Sequence, residues 1–138
     1  MNAVKAIIIA CATDDGIFLA DCHFGEARKY LIYRIENDKK IFIGKLENTS
    51  RQERIGQSHG DAEKAFDVKS ILKGRDVNVI LGHKIGPNIT RMRKHFVPVV
   101  SREREIEKAL GSVIEKYDVI LAEYDESNRR HFVLSQKT

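Results

Sequence analysis

An α/β protein with helices packed on a central mixed sheet is what this chain encodes, on three counts. Val4 to Cys11 is a nearly unbroken apolar run, which fits a strand covered on both faces. Tyr30 to Glu36 and Lys40 to Leu46 alternate between apolar and polar residues and are rich in β-formers, the pattern of a hairpin. Ser101 to Tyr117 places Ile106, Ala109, Leu110, Val113, Ile114 and Tyr117 on one stripe, the spacing of an amphipathic helix.

Taken in order, the first strand is bounded by Thr13-Asp14-Asp15-Gly16, a turn sequence because Asp and Gly both suit that backbone. Asn37-Asp38 joins the two hairpin strands and tolerates the left-handed conformation of a tight turn. Leu46 to Gly60 is polar and without periodicity, so a loop is expected. From Asp61 to Lys73, Ala62, Ala65, Phe66 and Leu72 predict a helix stopped by Gly74. Val77 to Leu81 reads as a second buried strand. Pro87 opens a helix with Ile85, Ile89, Met92 and Phe96 at helical spacing, and Phe96 to Val100 is a short strand. Ser101 is expected to cap the long amphipathic helix. Asp118 to Ala122 and His131 to Leu134 then predict two further strands, a hairpin around Glu126-Ser127-Asn128. With no repeats and no linker, residues 1–138 form one domain.

The bulk composition excludes several classes. At 42% hydrophobic and 32% charged, with two prolines, the chain is not disordered. Its net charge of +4 is spread along the sequence, which reads as a solvated cationic surface and is compatible with an anionic ligand. Two cysteines, Cys11 and Cys22, make no disulfide framework. The opening "VKAIIIACA" imitates a signal peptide, but its apolar run is short and a buried strand explains the same residues. No stretch approaches the ~18 apolar residues of a membrane span. A cytoplasmic protein with no membrane association is expected.

In open α/β sheets, ligands collect beyond the carboxyl ends of the strands. Three histidine-bearing segments are placed to reach that edge: Cys22-His23-Phe24-Gly25, Ser58-His59-Gly60, and "LGHKIGP", which contains His83 and runs into Gly86 and Pro87. Imidazole and thiolate are the donors that suit iron, copper, zinc and thiometallate clusters. The spacing is not that of a closed zinc site, and a lone loop histidine is more often a surface residue. Cys11 ends an apolar strand and is expected to pack as a small hydrophobe, whereas Cys22 has polar neighbours and should be more available. Gly86-Pro87-Asn88 is a common strand-to-helix turn, or else its free amides at Asn88 to Thr90 bind an anion.

The ordered set "TDDG", "HFGEARKYLIY", "SHGDA" and "GHKIGPN" resembles the dinitrogenase iron–molybdenum cofactor-binding (NifX/NafY-like) family over about residues 4–117. The resemblance implies a ribonuclease-H-like three-layer fold, with residues 118–138 as a C-terminal strand or hairpin extension. It also implies a carrier that holds iron–molybdenum cofactor or an iron–sulfur-type cluster and turns over no substrate. The histidine implicated in holding the cofactor falls on His23, with Cys22 as a second soft donor and Phe24, Gly25, His59, His83, Gly86, Pro87 and Asn88 around it. Metallocluster donor and acceptor proteins are the implied partners. His83 stands where the family commonly has glycine, and either adds a ligand or crowds a pocket that needs close backbone approach.

Two other readings belong to different classes. A ribonuclease-H-like nuclease or nucleic-acid-binding domain would need several carboxylates converging on metal ions; Asp14 or Asp15 could supply one, but Leu81-Gly82-His83 supplies none. No nucleic-acid partner is therefore expected. A cofactor-free interaction module would use the C-terminal extension as its contact.

Overall fold

The computed structural model describes residues 6–36, 38–48, 68, 70–84, 86, 92–124 and 132–134. The first apolar run forms strand β1 (Ile7–Thr13), buried along its whole length. Its side chains divide by parity, as a pleated strand requires. Ile7, Ile9 and Cys11 enter one apolar core, and Ile8, Ala10 and Ala12 enter another on the opposite face. That double burial is why the run is apolar at nearly every position.

β2 (Lys29–Glu36) and β3 (Lys39–Glu47) form the expected antiparallel hairpin. Asp38 takes the left-handed turn position, with φ 66°. The register slips between Ile32 and Tyr33: Tyr33 faces Phe42 and Ile32 faces Gly44, leaving Ile43 as the extra residue of a bulge. β4 (Val79–Gly82) and β5 (Val97–Ser101) follow, each with its core residues on alternating faces. A final strand, β6 (Phe132–Leu134), pairs in parallel with β5. The sheet order is β3-β2-β1-β4-β5-β6, antiparallel across the first three strands and parallel from β1 onward.

Helix α1 (Ile106–Glu115) buries Ile106, Ala109, Leu110 and Val113 against the face carrying Ile7 and Ile9. The other face is covered by Val68, Leu72, Met92 and Phe96, with residues 70–73 and Met92 helical. The chain leaves residues 70–73 through Gly74 into a turn whose Asp76 has φ 62°. Of the two helices expected from the sequence here, residues 61–67, 69 and 87–91 lie outside the described residues.

Three expectations near the C-terminal part are overturned. Ser101 does not cap α1: it closes β5, and the helix begins after Glu105, which makes no side-chain cap. Residues 118–122 are not a strand but part of helix α2 (Tyr117–Tyr124). Tyr117, Ile120, Leu121 and Tyr124 all join the core beneath α1, a helical spacing that the apolar run Val119 to Ala122 hides by fitting either period. The expected hairpin therefore lacks its first strand; its turn, residues 126–128, lies outside the described residues, and β6 pairs in parallel with β5 instead. The described residues of the C-terminal segment thus add a helix and an edge strand to the sheet.

Candidate functional site

β1, β4 and β5 are parallel and end at Thr13, Gly82 and Ser101 on one rim of the sheet. The His23 loop follows β1, His83 follows β4, and residues 102–105 lead from β5 into α1. This is the rim at which an α/β sheet gathers ligands.

The His23 loop is held from below. Phe24 is buried to 1% exposure and opens a short 3-10 helix, Phe24–Glu26. Its ring stacks on Tyr30 at 4.9 Å, tilted by 33°. The Tyr30 hydroxyl donates back to the Phe24 carbonyl at 2.9 Å, and burial pushes that phenol's pKa well up. Asn48, itself buried, directs its amide nitrogen at the carbonyls of Ala27 (2.8 Å) and Gly25 (3.0 Å) and at the Tyr30 hydroxyl (3.2 Å). Its backbone N–H donates to the Arg28 carbonyl at 2.9 Å. Asn48 therefore closes the backbone of the whole loop. In the sequence Asn48 falls within a polar stretch without periodicity, marked only by its position at the end of a β-rich run. Asn48→Ala should destabilise the protein by about 1–3 kcal/mol through buried acceptors left without donors, seen as a lower denaturant midpoint with unchanged slope.

Above this base His23 is exposed. It occupies the N-cap position of the 3-10 turn, yet its side chain makes no cap hydrogen bond. Its backbone forms an isolated parallel bridge with Lys84. Gly86, at φ +88°, lies directly against the imidazole: a Cβ there would stand 2.7 Å from His23 Cγ and 2.8 Å from Nδ1. Only glycine allows both that backbone angle and that approach. Cys22 is half-buried and leans on the core beneath, so it is the more accessible thiol. Cys11 is fully buried, which raises its pKa far above the ordinary thiol range.

The β1 and β4 loops are clasped by charge as well. Lys84 Nζ lies 3.1 Å from Asp21 Oδ1. That hydrogen bond first, then the charges of Lys84, Arg104 and His83, hold the Asp21 carboxyl below its usual range. His83 is half-buried, with Nδ1 2.9 Å from the Ser101 carbonyl.

The aspartates of "TDDG" are committed to structure. Asp15 Oδ1 accepts from the amides of Ile17 (2.8 Å) and Phe18 (2.9 Å), which lowers its pKa, and Asp14 Oδ1 accepts from the Arg28 amide at 2.8 Å. Carboxylates used to fix loops are poorly placed to share metal ions, which tells against the nuclease reading. Among the described residues, no three His, Cys, Asp or Glu side chains converge as a closed metal site, and no helix is long and apolar enough to cross a membrane.

The structure thus brings His23, Cys22, Phe24, Gly25, His83 and Gly86 to one rim. His59, Pro87 and Asn88 lie outside the described residues. Arg104, which no motif in the sequence marks, donates from Nε to the Leu19 carbonyl at 3.0 Å, and its guanidinium carbon lies 5.9 Å from the Phe18 ring centroid.

A family model described as dinitrogenase iron-molybdenum cofactor matches residues 5–116. Two solved structures of a protein from Methanococcus jannaschii, provisionally called a dinitrogenase, are similar in fold. The solution structure has a TM-score of 0.56 at 18% identity, covering 84% of this chain and 93% of that one. The crystal structure has a TM-score of 0.55 at 18% identity, with 81% and 91% covered. No curated protein matches the chain.

Proposed function

The chain belongs to the dinitrogenase iron–molybdenum cofactor family, and we propose that within it this protein carries a metal–sulfide cluster of the iron–molybdenum or iron–sulfur type without turning over a substrate. One observation carries the reading: an exposed imidazole, His23, is seated against Gly86 on a rigid, internally hydrogen-bonded loop. An imidazole that neither caps a helix nor enters the core is available as a donor to a soft or borderline metal. Cys22, beside it and half-buried, supplies a thiolate when deprotonated.

The donor set suits cargo better than a resident cofactor. Few protein ligands leave a cluster free to exchange, which is what receipt from one partner and delivery to another require. Lys84 and Arg28 supply positive charge for an anionic guest, and Phe24, Gly25, His59, His83, Gly86, Pro87 and Asn88 complete the proposed site. The ribonuclease-H-like character of the domain belongs to the same proposal, supported by an antiparallel hairpin added to a parallel half-sheet. So does a cytoplasmic setting, where cluster donor and acceptor proteins would be met.

Anaerobic titration of the protein with an iron–sulfur or iron–molybdenum cluster should produce a charge-transfer absorption band. His23→Ala should weaken binding at least about tenfold, the scale on which even outer partners of metal ligands count. Equal affinity in the variant would remove His23 from the site.

A further inference from the structure

Resting on the carrier reading above, we infer that His83 is a second imidazole donor to the same guest, binding through Nε2 while the Ser101 carbonyl holds its Nδ1–H. The ring's Nδ1 lies 2.9 Å from that backbone oxygen. A carbonyl oxygen only accepts, so the neutral ring must carry its proton on Nδ1 and keep its lone pair on Nε2. Holding one ring N–H on a carbonyl is how metal-binding histidines are fixed in tautomer and orientation. His83 is half-buried, so its ring is anchored on one side without being sealed from a guest.

The same connection positions both histidine loops. Ser101 ends β5, and its hydroxyl donates to the Glu103 carbonyl at 2.8 Å, shaping the turn into α1. Three residues after Ser101, the Arg104 carbonyl accepts from the Leu19 amide at 2.6 Å, and Arg104 Nε donates to the Leu19 carbonyl. Leu19 lies on the segment that runs directly into Asp21, Cys22 and His23. The end of β5 thus orients His83 by its ring and the His23 loop by its backbone. Lys84, next to His83, closes the arrangement through its bridge to His23 and its ion pair with Asp21. A histidine in this place gives the guest a second nitrogen ligand from a separate strand, so hand-over requires release from both loops.

The test uses the full chain, ¹⁵N-labelled, with Zn²⁺ as the probe because it accepts imidazole nitrogen. Long-range ¹H–¹⁵N correlation of the imidazoles should show His83 protonated at Nδ1 and bare at Nε2 before metal is added. With Zn²⁺, the Nε2 resonance of His83 should shift together with a ring nitrogen of His23, while His83 Nδ1 stays protonated. His83→Gln should weaken Zn²⁺ binding at least about tenfold, and His95→Gln should leave it unchanged. A free protein with the proton on Nε2 would overturn the inference. So would a His23 response with His83 unmoved, and in that case the carrier reading stands. If neither ring responds and the cluster titration also gives no absorption band, both fall together.

Discussion

Phe24→Ala should cost about 3–5 kcal/mol of folding stability and abolish cluster binding under conditions where the parent binds. Phe24 is almost fully buried, stacks on Tyr30, and its carbonyl receives the Tyr30 hydroxyl. Removing the ring opens a cavity beneath the turn that begins at His23, and the Tyr30–Asn48 hydrogen bond that helps close the loop loses its support. Against a typical total of about 5–15 kcal/mol, the loss is large. Denaturant unfolding reads it directly as a lower midpoint. Phe24→Leu, which refills most of the volume, should recover over half of the stability and provides the folded variant for titration. A loss below about 1 kcal/mol in Phe24→Ala would mean that the loop is not packed as described.

Gly86→Ala acts on the imidazole directly. Alanine at φ +88° pays about 1–2 kcal/mol for the left-handed backbone, and its methyl would meet the His23 ring at 2.7 Å. The ring must move, so binding should fall at least about tenfold, again on the scale of lost metal-site support. Gly16→Ala is the matched control: Gly16 has φ +86°, but nothing lies within 4 Å of a Cβ there. Both variants should lose similar stability, and only Gly86→Ala should lose binding. In a His23→Ala background the Gly86 substitution should have no further effect on affinity. A comparable binding loss in Gly16→Ala would show that backbone strain at the rim, and not contact with His23, is responsible.

The edge of the sheet shows how local pattern and long-range pairing divide the information. The β3 residues Ile41, Phe42 and Ile43 are three consecutive exposed apolar side chains. In the sequence they resemble any half-buried strand, whereas the structure leaves them exposed on the outermost strand of the sheet. The bulge at Ile43 and the lysines at 39, 40 and 45 are what keep such an edge from pairing indiscriminately.

By itself, the sequence determined whatever repeats within a few residues. Parity along β1, the β2–β3 hairpin and the four-residue stripe of α1 were all readable because one element's own period decides which side chains are buried. The placement of a cysteine and a histidine on a loop after a buried strand was readable in the same way. Tertiary structure alone decided that Val119 to Ala122 is helical, since a short apolar run satisfies two periods until something packs against it. It alone turned β6 parallel, recruited Asn48 to close the His23 loop, set Gly86 against the His23 ring and placed His83 under the Ser101 carbonyl. Each of those joins residues far apart in the chain, and their meeting depends on the order in which strands enter the sheet, a property no local window contains.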